Sequence, residues 1–194
     1  MMAASKINFH DLVSIGVKQI REYSIVNYDY IKELCARPYP GYPDGCPNRF
    51  KCRTLGIRPF EEIKQRGKFD EYYLIYARFD FKTYKELRRD QHPDWSDKQL
   101  GNSRHWQAAV KKKITTMIEN ATIPSTDYVL GCGSGLKLKH QQIVGSMENA
   151  CINVFSTMRK NGIKDMEVRP ENVIYLVCLL CRNTRKNNLE KWIK

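Results

Sequence analysis

The stretch Glu71-Tyr-Tyr-Leu-Ile-Tyr-Ala-Arg-Phe-Asp-Phe81, EYYLIYARFDF, decides the fold class. Aromatic and β-branched side chains fit a pleated surface better than a helix surface, so their density here predicts a strand. From Tyr72 to Ala77 the run is apolar without interruption, whereas a strand with one wet face would alternate apolar and polar residues. The expectation is a central strand covered on both faces, and therefore a sheet layered with helices.

Upstream of this strand, Pro59 to Gly67 (PFEEIKQRG) reads as a helix. Proline sits in its first turn, acids lie near its positive end and glycine lies beyond its end. Closer to the N-terminus, Phe9, Leu12, Val13 and Val17 recur near helical spacing behind Asn8, a capping residue, and predict a short first helix. Gln19 to Ile25 then reads as a short strand.

Downstream, His92 before Pro93 ends a helix, because proline disfavours helical backbone in the residue before it. Ser96 followed by Gln99 makes a capping box, and the helical pattern resumes through Trp106, Val110, Ile114, Met117 and Ile118. That stripe faces the core and leaves Lys111 to Lys113 largely on the solvated flank. Asp127 to Gly131 is a strand leading into the turn CGSG, Met147 to Lys160 is a helix ended by Asn161 and Gly162, and Val173 to Cys181 is a buried strand.

Helices interleaved with at least three apolar strands define an α+β fold. It is read as a single domain over 1–194, a small mixed sheet packed with helices plus a long Cys/Pro/Gly-rich metal-binding loop. The chain has 194 residues, 42% hydrophobic and 28% charged, which suits one globular domain with a core of ordinary size. No internal repeat or Gly/Ser linker argues for a second domain.

No apolar run approaches the roughly 20 residues that span a bilayer. The opening MMAASKINFHD lacks the apolar stretch of a secretion signal, so a cytoplasmic protein with no membrane partner is expected. Cytoplasmic thiols stay reduced, and seven cysteines there point to metal or catalysis before disulfides. The net charge of +12 favours polyanions, which makes nucleic acid or an anionic small molecule a candidate partner. The charges are spread along the chain, however, which a surface evolved only for solubility would also show.

The segment CARPYPGYPDGCPNRFKCR, Cys35 to Arg53, holds four prolines and two glycines and cannot form regular structure. So long an irregular loop in a compact domain is usually functional. Its cysteines, Cys35, Cys46 and Cys52, have the spacing C-x10-C-x5-C, and the Pro/Gly run between the first two turns the chain back so that sulfurs can converge. Thiolates select zinc, cuprous copper or iron-sulfur clusters. Structural zinc sites commonly show paired C-x2-4-C knuckles, which this loop lacks, so a cluster fits better. Three thiols beside an ordinary loop is the bland alternative.

Cys132, in LGCGSG, is the candidate fourth ligand; without it one iron stays open as a Lewis-acid position. Cys178 and Cys181 resemble a C-x2-C pair, but residues three apart on a strand point to opposite faces, so both read as core, and Cys151 likewise.

Other residues carry weaker signals. His92, Asp94, Trp95, His105 and Trp106 lie close enough in sequence to line a pocket, although anchoring of a helix explains the tryptophans equally well. The GCGSG turn matches neither phosphate-loop pattern. Tyr39 and Tyr42, with Arg37 and Arg49, would stack a base or shield a cluster from water. No Ser-His-Asp constellation is evident.

The loop from Cys35 to Cys52, the strand EYYLIYARFDF, the segment DYVLGCGSG and the closing GSMENACINVFSTMRKNGI, Gly145 to Ile163, together resemble a family of predicted metal-binding proteins of unknown function. Its members open with a cysteine- and proline-rich loop and close with a PSMEA-GIDVF-T type segment; HPDWSDKQLGNSRHWQ, His92 to Gln107, echoes a subgroup. The resemblance implies iron-sulfur or other metal binding and no particular reaction. Family members carry several cysteines around the second turn where this chain keeps only Cys132, so a second cluster is not expected. The reading that follows is one 4Fe-4S cluster on Cys35, Cys46, Cys52 and, as fourth candidate, Cys132, in an enzyme or redox partner. The alternatives are a zinc-stabilised nucleic-acid-binding module and a regulatory protein without catalysis.

Overall fold

The computed structural model describes residues 8–28, 33, 36–38, 42–45, 60–121, 127–131, 136, 138, 143–167 and 169–185. Five strands make one mixed sheet: Val13–Ile20 (β1), Glu71–Asp80 (β2), Asp127–Gly131 (β3), Ile143–Ser146 (β4) and Val173–Arg182 (β5), in the order β1-β2-β5-β3-β4. β2 runs antiparallel to both neighbours, with Val13 opposite Phe79 on one side and Glu71 opposite Arg182 on the other. β5 is antiparallel to β3, and β3 and β4 are parallel with a register shift between Val129 and Leu130.

The uninterrupted apolar run of β2 is explained by two cores. Ile75, Ala77 and Phe79 point to one face, where they meet Trp106, Val110, Ile114 and Ile118. Tyr72 and Leu74 point to the other, against Phe60, Ile63, Met147, Ile152 and Met158. Leu74, Ile75 and Phe79 are wholly buried, each side chain contributing roughly 1.5–3 kcal/mol of apolar burial. The expectation of a strand covered on both faces holds, and with it the α+β fold.

Six helices among the described residues supply the covering layers: Phe9–Leu12 (α1), Phe60–Gly67 (α2), Phe81–Gln91 (α3), Asp97–Leu100 (α4), Gln107–Ala121 (α5) and Val154–Lys160 (α6). Asp80 caps α3 by accepting the Thr83 backbone N–H at 3.0 Å, and that helix stops at His92 ahead of Pro93 as the sequence predicts. The Ser96/Gln99 capping box opens α4. On α5 the wholly buried residues Val110, Ile114 and Ile118 recur every four positions, which keeps them on the sheet-facing side. Lys113 is drawn off the solvated flank: its ammonium donates to the carbonyls of Phe9 and Val13 at 3.0 and 3.3 Å and so ties α5 to the start of β1.

Three expectations are corrected. Asn8 does cap α1, but the helix ends at Leu12, and Val13 and Val17 lie on β1, where eight residues pair with β2. Residues 19–25 therefore contain only the end of a strand, followed by a single 3-10 turn at Glu22–Ser24. Finally, Met147 to Cys151 is a turn and not the first half of a helix. Cys151 adopts φ 60, a left-handed conformation that interrupts helical hydrogen bonding, and Asn153 caps a new start by accepting from Ser156 N at 2.8 Å. β4, only four residues long, is not announced by the sequence pattern.

Candidate metal centre and its platform

Cys35, Cys46, Cys52 and Cys132 lie outside the described residues, as do Tyr39 and Arg49. What the structure does describe is where the segments bearing those cysteines leave the fold and return to it. Tyr28 donates its backbone N–H to the Cys151 carbonyl at 2.8 Å, and Phe60 donates to the neighbouring Ala150 carbonyl at 3.0 Å. The two ends of the 29–59 stretch are thus fastened to consecutive residues of one turn. Met147 N–H donates to the Gly131 carbonyl at 3.0 Å. Gly131 is the residue before Cys132, whose Cα is therefore about 3.8 Å from that of Gly131. A single turn, Met147–Ile152, anchors the roots of both cysteine-bearing segments.

The sequence SMENACIN builds this platform by local chemistry. The Ser146 hydroxyl accepts the Asn149 N–H at 3.1 Å, and the Ala150 N–H reaches the Ser146 and Met147 carbonyls at 3.1 Å each. Cys151 N–H donates to the Glu148 carbonyl at 2.9 Å. The left-handed turn at Cys151 then swings the chain so that Ile152 N–H returns to the Met147 carbonyl at 3.0 Å and Ile152 bridges Asn27. Met147 and Ile152 are wholly buried, so the turn is seated in the core that lies against α2 and α6. Pinning the ends of a long loop side by side fixes its closure in the native fold, whose entropic cost grows only slowly with loop length.

Glu148 stands out on this turn. Its carboxylate oxygen Oε2 is buried and has no hydrogen-bond partner among the described residues. Burial pushes the carboxyl above the ordinary glutamate value, and hydrogen bonds from its own backbone N–H and from the Ser146 side chain offset this only in part. A buried unpaired carboxylate oxygen is costly, and such an atom in a native fold marks strain, catalysis or an ion. The donor set is therefore compatible with a metal centre at this platform: thiols on two segments rooted here, and one carboxylate oxygen without a protein partner among the described residues. Sequence reasoning misses Glu148 because it places the residue in a helix, where a glutamate would be solvated.

The other thiols are structural. Cys178 faces the core under α5 and Cys181 the opposite core, as strand geometry requires of residues three apart, and both are wholly buried. Burial and the nearby Asp127 push the Cys181 thiol far up, away from thiolate chemistry. Cys151 is buried as well. Among the described residues no group of three or more His, Cys, Asp or Glu side chains comes together as a metal site.

The histidine and tryptophan cluster divides in two. Trp106 is a core residue, 5.2 Å from Phe79, with its indole N–H donating to the Gly101 carbonyl at 3.3 Å. Trp95 lies at the surface end of α3, stacked on His92 at 3.9 Å and 8°, 5.2 Å from His105, with the Arg88 guanidinium 5.5 Å from its ring. A shallow cleft of about 340 Å³ elsewhere is lined by Tyr76, Arg78, Lys164, Asp165 and Tyr175, and there Asp165 accepts from both Arg78 at 2.9 Å and the Tyr175 hydroxyl at 2.7 Å. Neither place gathers a nucleophile and a base.

Comparison with known protein families, with curated proteins and with solved structures yields no match for this chain. Among the described residues no helix is long and apolar enough to cross a membrane.

Proposed function

We propose that this chain is a cytoplasmic iron-sulfur protein that holds one 4Fe-4S cluster on Cys35, Cys46 and Cys52, with Cys132 as the thiolate candidate for the fourth position, and acts as an enzyme or redox partner. The observation that carries the reading is that three described hydrogen bonds root the 29–59 stretch and the residue before Cys132 on one turn, Met147–Ile152. Short tethers from a shared platform favour convergence of the sulfurs, to which the Pro/Gly-rich spacing of the loop also contributes. The resemblance of the cysteine loop and of GSMENACINVFSTMRKNGI to predicted metal-binding proteins points the same way. When bound, such a cluster supplies one-electron transfer, and an iron without a protein thiolate supplies a Lewis-acid position. The residues of the chain hold it, exclude water and set the charge around it.

Anaerobic purification tests this reading. The expected result is a brown protein with equimolar iron and inorganic sulfide, and Cys35→Ser, Cys46→Ser and Cys52→Ser each losing most of both. A colourless protein without iron contradicts it.

A second reading rests on the charge of +12: a zinc-stabilised module that binds nucleic acid or another polyanion. One zinc per chain, with RNA or DNA binding that weakens steeply as salt rises, would select it over the cluster.

A further inference from the structure

Glu148 is the feature that neither the fold nor the proposed set of thiolates uses. The turn it occupies is complete without its side chain: Ser146, Met147 and Glu148 offer backbone or hydroxyl groups that satisfy Asn149, Ala150 and Cys151, and Asn153 caps the helix beyond. Its carboxylate nonetheless turns inward, with Oε2 out of contact with solvent and without a donor among the described residues. A glutamate needed only for solubility would turn outward at little cost, because three rotatable bonds let the head reach water. An inward carboxylate without a donor is a place for a cation, since burial of an unpaired charge is otherwise strongly unfavourable.

Position identifies the class of cation. The peptide groups around Glu148 are those on which the cysteine-bearing segments are rooted: its own carbonyl accepts from Cys151, whose carbonyl accepts from Tyr28, and the neighbouring Ala150 carbonyl accepts from Phe60. The residue before it, Met147, is bonded to Gly131. A carboxylate at this junction is well sited for the one iron of a cubane that three loop thiolates leave unligated. Oxygen donors are accepted by iron, although they bind it less tightly than thiolates.

We infer that Glu148 is an oxygen ligand of the metal centre, occupying the position left by Cys35, Cys46 and Cys52. The inference rests on the proposed metal reading and deepens it by assigning a ligand that cysteine counting passes over. An oxygen ligand at one corner makes that iron more exchangeable than the other three.

The test uses the full chain, anaerobically reconstituted, in wild-type form and as Glu148→Gln, Glu148→Cys and Cys132→Ser. Iron content, the EPR spectrum of the reduced protein and the rate of iron loss to a chelator are measured for each. The expected result is that Glu148→Gln loses iron at least about tenfold faster than wild type, the scale seen when groups around a metal are removed. Its EPR spectrum should change, Glu148→Cys should retain iron at least as well as wild type, and Cys132→Ser should leave all three readouts in place. A Glu148→Gln protein identical to wild type in all three, alongside a Cys35→Ser protein that holds no cluster, overturns the inference and leaves the metal reading standing. So does a spectrum that changes with Cys132→Ser and not with Glu148→Gln, which makes Cys132 the fourth ligand. A wild-type protein without iron removes both. Should Glu148→Gln fail to fold, Glu148→Asp, which keeps the charge and shortens the reach, takes its place with the same expected and overturning results.

Discussion

Arg182→Met should destabilise the protein by about 3 kcal/mol, the lower end of the range for breaking a buried ion pair. The figure follows from the surroundings of Asp127, whose side chain is 0% exposed at the start of β3 and is held by Arg182, 21% exposed, across the β3/β5 pair. The guanidinium donates to the two carboxylate oxygens at 2.8 to 3.2 Å, and also to the Ala121 carbonyl at 2.7 Å, so that it clamps the end of α5 to the sheet. It also packs 5.6 Å from the Tyr73 ring centre. Methionine preserves much of the packing and removes every one of these donors, which leaves a carboxylate buried without its cation. The remaining exposure of Arg182 argues for the lower end of the range. At roughly 2–4 °C per kcal/mol for a chain of this size, the melting temperature should fall by about 6–12 °C. Urea unfolding followed by far-UV circular dichroism at neutral pH measures the loss, and the double variant Asp127→Leu, Arg182→Met should recover most of it, because a matched apolar pair leaves no stranded charge. A loss below about 1 kcal/mol, within the range of an exposed pair, would refute the reasoning.

Other consequences can be checked in the same way. In metal-free protein the Glu148 carboxyl is held above its ordinary 4.5, so the stabilisation from its protonated form is complete below that value and disappears as pH rises through the raised one. Glu148→Gln should therefore make the metal-free chain more stable at neutral pH, by about 1 kcal/mol or more, with the gain vanishing in acid; a loss at neutral pH in thermal melts would contradict this. Glu167 shows the opposite sign: the Asn172 backbone and side-chain N–H groups, joined by Glu171 N–H, pull it down to about 2. Its contribution is present above 4.5 and lost towards pH 2, so Glu167→Gln should cost about 1 kcal/mol near neutrality, discounted for its solvent access, and nothing near pH 2 by pH-resolved melts. Alkylation followed by mass mapping should leave Cys151, Cys178 and Cys181 unmodified in the folded protein and label them only in denaturant; rapid labelling of Cys181 would contradict its burial.

The parts of the fold that are legible in the sequence are those where one pattern has one explanation. An unbroken apolar run in β2 admits only a strand covered on both sides, and Val110, Ile114 and Ile118 admit only a helix face. The start of the chain misleads because Val13 and Val17 satisfy a helical spacing of four as well as a strand spacing of two, and only pairing with β2 decides between them. The turn at Met147 is hidden because a left-handed Cys151 is imposed by the bridge to Asn27, a contact from the other end of the sequence. The cysteines declare their chemistry by residue type alone, since any reduced thiol can become a thiolate ligand. Glu148 does not, because what singles it out is burial without a donor among the described residues, a property of the three-dimensional surroundings and not of the residue.

Native mass spectrometry of the anaerobically isolated chain tests the central claim most directly, since it reads the bound inorganic mass on the intact protein. The account predicts one dominant species heavier than the polypeptide by four irons and four sulfides, reduced to the bare chain by Cys35→Ser, Cys46→Ser or Cys52→Ser. A wild-type spectrum showing only the bare polypeptide, or the polypeptide with a single zinc, would contradict it.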